Sequence, residues 1–264
     1  MSEYAVVQTR FETIPAETLA SILTGQGAMT HPDAMLAMRR HQGIVWEHFD
    51  RSRAESVQQA LSDQGYAVDI VESDDLPMLG EPRQIRWFEL DSAELRIPIG
   101  IHGDTNSVPW ENVLVISLNQ IAEVTKRPVS ENPRMTSTST SGLAISRDTN
   151  PKYQKRSKLI DVLDLICTDK EGGAHYLRLP CHQLAYSKIM GDGTNLSRFE
   201  RFLVVVEYCV THAPQAIVSP ATRKALVTRQ ESSREVDGDG MQAIQDEAVQ
   251  NRNRWLLYQS INQD

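Results

Sequence analysis

Between Arg83 and Thr125 the chain is built of short apolar runs separated by tight polar turns, a pattern that predicts strands. Strands are expected at 84–90, 93–101, 108–118 and 119–125, with turns at Asp91-Ser92 and His102–Ser107. After a polar interruption, Leu159–Cys167 and His175–Leu179 read as two further strands about the Lys170–Gly173 turn. From Ser197 to His212, Phe199, Phe202, Leu203, Val206 and Val210 recur at helical spacing and predict one amphipathic helix. Trp110 is expected to anchor the core of this region, with a strand irregularity near Glu111-Asn112.

The stretch before Pro77 has a different rhythm. Tyr4–Phe11 predicts a strand, and Pro15 suits the first turn of a helix running to Leu23, where a missing amide costs nothing. Gly25-Gln-Gly27 breaks the chain, Pro32 opens a second helix whose last turn gathers Arg39, Arg40 and His41, and Gly43 stops it. Ile44–Phe49 is the next strand. Asp50 or Ser52 can cap a helix carrying Ala54, Val57, Ala60 and Leu61, which Gly65 ends before the strand Tyr66–Val71.

Arg127–Lys158 is rich in Pro, Ser, Thr and charge, and its apolar content is too low to offset the entropy of ordering. Past Pro214 the chain turns polar, Gln230–Gly240 reads as a linker, and Met241–Ile261 as a final helix. The expected organisation is a small α/β unit over 1–77, a β-rich unit over 83–225 with a mobile insertion at 127–157, and a linker with a C-terminal helix over 226–264. The fold class is α+β.

Two resemblances accompany these patterns. Ser52–Gly65 followed by Ala67–Val71, in the order strand, helix, helix, strand, helix, strand, resembles the C-terminal domain of the bacterial ribosomal stalk protein over about 70 residues. The Lys-rich factor-docking face of that family has no counterpart here, so the resemblance implies a fold and no ribosomal role. The antiparallel strands with one closing helix, and the Val108-Pro-Trp-Glu-Asn-Val113 run, resemble bacterial pleckstrin-homology-like domains over about 130 residues. The chain as a whole also resembles multi-element bacterial proteins of unknown function, a likeness that carries no activity.

A net charge of -8 and a pI near 5.4 disfavour contact with nucleic acid or an anionic membrane except through a local basic patch. Cys167, Cys181 and Cys209 form no CxxC and read as reduced thiols, which with the absence of a long apolar run points to a cytoplasmic protein without stable membrane insertion. Lys152, Lys155, Arg156 and Lys158 form the one dense basic run, suited to an acidic protein surface or anionic lipid and, by default, a solvated flank. The Ser/Thr run at 136–141 could accept phosphate groups that pair with it.

Sharper chemical readings give way to plainer ones. Cys167, His175, Cys181 and His182 approach a metal set, but adjacent Cys181 and His182 face opposite sides of a strand. Asp237–Gly240 lacks the remaining ligands of a calcium loop. Gly191-Asp-Gly193 and Gly25-Gln-Gly27 lack the third glycine of a phosphate cradle. His48, Asp50 and Ser52 suggest a hydrolytic set and are better explained by a capped helix, with Arg51 and Arg53 in a solvated turn. No catalytic, cofactor or metal residues are therefore assigned. The expected role is non-enzymatic binding of a protein partner, with the C-terminal helix as the candidate contact and docking on its own chain as the alternative. Anionic ligand or lipid binding by the β unit is the second reading, opposed by Asp91 and Glu94 in the first hairpin turn. A metal-dependent enzyme is a distant third.

Overall fold

The computed structural model describes residues 2–27, 29–40, 42–99, 104–128, 153–169, 173–191, 195–231 and 246–262. The class is α+β. Near the N-terminus β1 (Tyr4–Gln8) lies between β2 (Ile44–Phe49) and β3 (Val68–Glu72), antiparallel to both, with α1 (Ala16–Gly25), α2 (His31–Arg40) and α3 (Arg51–Asp63) in the connections. Asp50 caps α3 by accepting from the Arg53 amide at 2.9 Å, and Gly65 leaves the helix at φ 88°. One sheet face gives Val6, Val45 and Val68 to a core with Leu19 and Leu23 of α1 and Ala54, Val57 and Leu61 of α3.

The rest of the chain makes two sheets around a second core. β5 (Glu89–Leu90), β6 (Glu94–Ile99) and β7 (Asp104–Pro109) form one antiparallel sheet. The other runs β11-β8-β9-β10-β4, where β8 (Val113–Pro128), β9 (Tyr153–Thr168) and β10 (Ala174–Pro180) are antiparallel. Short β4 (Arg83–Gln84) and β11 (Ile217–Val218) add parallel edges. Helix α4 (Tyr186–Met190) follows β10, and α5 (Arg198–His212) lays Phe202, Leu203, Val205, Val206 and Cys209 into the core shared by both sheets. The α5 N-terminus is closed by a reciprocal pair: the Ser197 amide donates to Glu200 Oε2 at 2.6 Å and the Glu200 amide to Ser197 Oγ at 3.2 Å.

Several expectations need correction. The 84–90 run is not one strand, because β4 and β5 join different sheets and Ile85 and Phe88 between them turn into the core. Asp104–Ser107, expected as part of a turn, opens β7. Val108–Leu118 is interrupted by a 3₁₀ turn at Trp110–Asn112, the place of the expected irregularity, and β8 then continues unbroken through the boundary drawn at residue 119. Trp110 is 3% exposed, donates its indole N–H to the Asp91 carbonyl at 2.8 Å and packs beside the stacked rings of Tyr208 and His212. The insertion begins later and ends earlier than expected, since 126–128 pair in register with 153–155; residues 129–152 lie outside the described part. The polar stretch past Pro214 contains β11 and α6 (Pro220–Glu231). α6 forms because Ser219 and Thr222 hydroxyls, both fully buried, bond each other at 2.8 Å and Thr222 Oγ1 accepts from the Leu118 amide at 2.8 Å.

Helix α7 (Asp246–Ile261) does not stand away from the chain. Trp255, Leu256 and Leu257 enter a third core with Ala5, Val7 and Ile44 of the N-terminal sheet and Val115, Ile166 and Tyr176 of the larger one. The C-terminal helix therefore docks on its own chain, one of the two placements left open for it. Among its polar side chains Arg252, Asn253 Nδ2 and Arg254 find partners there, while the buried Asn253 Oδ1 has none. Among the described residues no helix is long and apolar enough to cross a membrane.

Candidate functional site

Among the described residues, buried polar side chains gather where α7 crosses the larger sheet. Ser117 of β8, Asp164 of β9 and Arg178 of β10 are register partners, so one row of polar residues crosses three strands on the face toward α7. Tyr176 and Asn119, each two residues along their strands, share that face. Asp164 is fully buried and Arg178 is 3% exposed, so their charges need partners.

Those partners are all present. Asp164 Oδ1 accepts from Arg178 Nε at 2.7 Å. Asp164 Oδ2 accepts from Arg178 Nη2 at 3.1 Å, the Tyr176 hydroxyl at 3.0 Å, Asn119 Nδ2 at 3.2 Å and Asn253 Nδ2 at 3.1 Å. The remaining arm of Arg178 reaches Asp246 at the start of α7, 2.7 Å away. Burial works against the Arg178 charge, but hydrogen bonds and attraction to Asp164 outweigh it and hold its pKa above the ordinary value. Burial, followed by the neighbouring Asp164 charge, pushes the Tyr176 phenol up.

With five donor contacts on a fully buried carboxylate, one on Oδ1 and four on Oδ2, this row is chemically a tie. It holds a helix to a sheet. A second set of bonds ties α7 to the N-terminal unit. Arg254 makes a bidentate pair with Glu47 at 2.6 and 2.8 Å, and Trp255 Nε1 donates to the Gln8 carbonyl at 2.6 Å. Arg252 reaches Asn119 Oδ1 at 3.2 Å and also donates to Gln42. Burial lowers the Arg252 pKa to about 10.

The residues weighed from the sequence fall elsewhere. Cys167 and His175 do lie opposite each other, yet Cys167 is sealed in the core while His175 turns to Asp169 at 3.1 Å. Burial pushes the thiols of Cys167 and Cys209 up to about 12 and raises that of Cys181. His182 faces Glu123 at 3.6 Å. Among the described residues no three His, Cys, Asp or Glu side chains are placed to hold a metal. His48, at φ 64°, bonds Glu3 at 2.5 Å, Asp50 caps α3, Arg51 pairs with Glu55 and Arg53 with Asp50. The hydrolytic set thus dissolves into helix-start contacts. Gly25 and Gly27 lie at the end of α1, Gly191 ends α4, and 237–240 are outside the described residues.

Sequence reasoning missed Asp164, Arg178, Asn119 and Asn253. The available signal was a carboxylate inside the apolar run Leu159–Cys167 and a guanidinium inside His175–Pro180, each demanding a partner if its strand is buried.

The basic run takes a defined place. Lys155, Arg156 and Lys158 belong to β9, where they pair in register with Lys126, Thr125 and Glu123 of β8; Lys152 is outside the described residues. β10 accompanies β9 only as far as Val162, and β11 pairs with β8 only at Val115 and Ile116. From Gln120–Asp161 to Pro128–Tyr153 the two strands continue as a ribbon about 30 Å long. Ile121, Ile160 and Val162 pack on Val249 of α7 at its root. No family model matches this chain, and no curated protein or solved structure matches it.

Proposed function

We propose that this chain is a non-enzymatic protein-interaction protein that presents the β8–β9 ribbon to its partner. One observation carries the reading: the ribbon leaves the sheet that roots it and its sequence holds five basic residues, Lys126, Arg127, Lys155, Arg156 and Lys158, against two acidic ones, Glu123 and Asp161, in a chain of net charge -8. The polar network beneath α7 supports it by fixing the ribbon root. A stalk-like first unit and a pleckstrin-homology-like second unit remain part of the proposal, supported by the element order and by α5 packing on both sheets.

Replacing residues 124–157 by Asn-Gly, which closes a two-residue hairpin after the Glu123–Lys158 pair, tests the reading. The shortened protein should melt where the full chain does and lose the partners that the full chain recovers from its native cell. Recovery of the same partners by the shortened protein would refute the ribbon's role.

A further inference from the structure

We propose that Arg252 couples the N-terminal unit to the root of the β8–β9 ribbon, so that a shift of the chain at Gln42 loosens the ribbon where it leaves the sheet. The regulatory meaning of this coupling rests on the ribbon being the docking element. One guanidinium touches both sides. Arg252 of α7 donates through Nε to Gln42 Oε1 at 3.0 Å and through Nη1 to Asn119 Oδ1 at 3.2 Å, and its Nη2 also bonds Gln42. Gln42 stands between α2 and β2, and Asn119 is the β8 residue immediately before the ribbon. The guanidinium also lies 5.4 Å from the centre of the Phe11 ring, which belongs to the N-terminal unit and packs beside Trp255.

The Arg252 charge is held differently from its neighbours. Arg178 and Arg254 pair with carboxylates, whereas among the described residues the hydrogen-bond partners of Arg252 are neutral amides. Burial lowers its pKa to about 10, so the cation persists at neutral pH and depends on both amides for its solvation. Two neutral acceptors that share one buried charge are interdependent. Removing either leaves the charge short of hydrogen bonds, and the side chain then shifts toward water.

What moves with Arg252 is the cover of the ribbon root. Ile121 is the register partner of Ile160, and Asn119 of Val162, so all four share the face toward α7. Val249, three residues before Arg252 and on the same side of the helix, packs on Ile121, Ile160 and Val162. Other holds on the root lie outside α7: Gln120 bonds Asp161 at 3.1 Å, the Cys181 amide reaches the Asp161 carbonyl at 2.9 Å, and His182 faces Glu123 at 3.6 Å. None of these three reaches the N-terminal unit. Arg252 does, and Val249 carries its displacement to the strands.

Hydrogen–deuterium exchange of the full chain, read by mass spectrometry, tests the coupling with Gln42→Ala, Arg252→Met and the double variant. Gln42 lies in neither strand of the ribbon. Its replacement should nevertheless speed exchange at 119–123 and 159–162 about tenfold, the low end of what a hydrogen bond to a charged group contributes, while 163–168 and 174–180 exchange as before. Those unchanged segments report an intact fold. Arg252→Met keeps most of the side-chain length and removes the charge, so in its background Gln42→Ala should leave the root unaffected. Root exchange that ignores Gln42→Ala, acceleration that is equal at 163–168, or a Gln42→Ala effect that survives in Arg252→Met would each overturn the coupling. No partner enters this measurement, so its failure strikes the coupling alone, whereas failure of the docking role shows in the partners recovered by the shortened protein.

Discussion

Gly43→Ala probes how tightly α7 is seated. Gly43 sits at φ 87°, and its carbonyl is pinned by the Gln8 amide at 2.7 Å. A methyl group added there would lie 2.5 Å from Trp255 Cδ2 and 2.9 Å from Trp255 Cβ, inside the space of the indole. Two costs follow. An L-residue at this φ loses about 1–2 kcal/mol, and overpacking against the ring adds about 1–3 kcal/mol, giving roughly 2–5 kcal/mol in all. Trp255→Ala costs about 3–5 kcal/mol by itself, through the cavity beside Phe11 and the lost hydrogen bond to Gln8. In that background the clash with the ring is gone, while the backbone cost of about 1–2 kcal/mol and the 2.9 Å approach to the retained Cβ persist for Gly43→Ala. The double variant should therefore be more stable than the sum of the single losses by up to about 3 kcal/mol. Urea unfolding of the four proteins, followed by far-ultraviolet circular dichroism, measures this cycle. A Gly43→Ala cost equal in both backgrounds within about 0.5 kcal/mol would refute the seating of Trp255 on Gly43.

Asp164→Ala should destabilise by about 3–5 kcal/mol, because it strips Arg178 of its bidentate partner and removes an acceptor shared by Tyr176, Asn119 and Asn253; a loss under about 1 kcal/mol in the same unfolding assay would mean that the cluster is wet. Cys167 and Cys209 should resist iodoacetamide at pH 8 until the protein unfolds. For both thiols the folded pKa is about 12 against an ordinary 9.0, so their contribution is complete below about pH 9 and is lost as pH rises toward 12. Each thiol should reduce stability by about 1.4 kcal/mol per pH unit in that window, and a flat profile between pH 9 and the onset of alkaline unfolding would contradict their burial.

What could be read from the sequence was local. Asp50 and Gly65 announce α3 because a cap and a left-handed glycine act within a few residues, and Ser197 with Glu200 does the same for α5. α6 was missed because its anchoring pair, Ser219 and Thr222, gains meaning only from the Leu118 amide, a partner more than 100 positions away. The ribbon was read as a loop since its polar residues satisfy no burial pattern; its strand pairing supplies the order that composition does not. The tie beneath α7 links Asp164 to Asn253 across 89 residues, so no window of sequence contains both. Its existence was implied by charges in apolar strands, but its identity was not.

The bond from Trp255 to the Gln8 carbonyl joins residues 247 positions apart. During synthesis, at about 5–20 residues per second, the first strand waits roughly 10–50 s for the indole that completes its surroundings. Throughout that interval the face formed by Ala5, Val7 and Ile44 lacks the α7 side chains that later cover it. Much of the opposing sheet is also made late, since Ile166 and Tyr176 follow β1 by more than 150 residues. The nascent protein thus carries an apolar, strand-edged surface for tens of seconds, a state prone to aggregate or to recruit chaperones. Tight long-range closure in the finished molecule has as its counterpart a long vulnerable period on the ribosome.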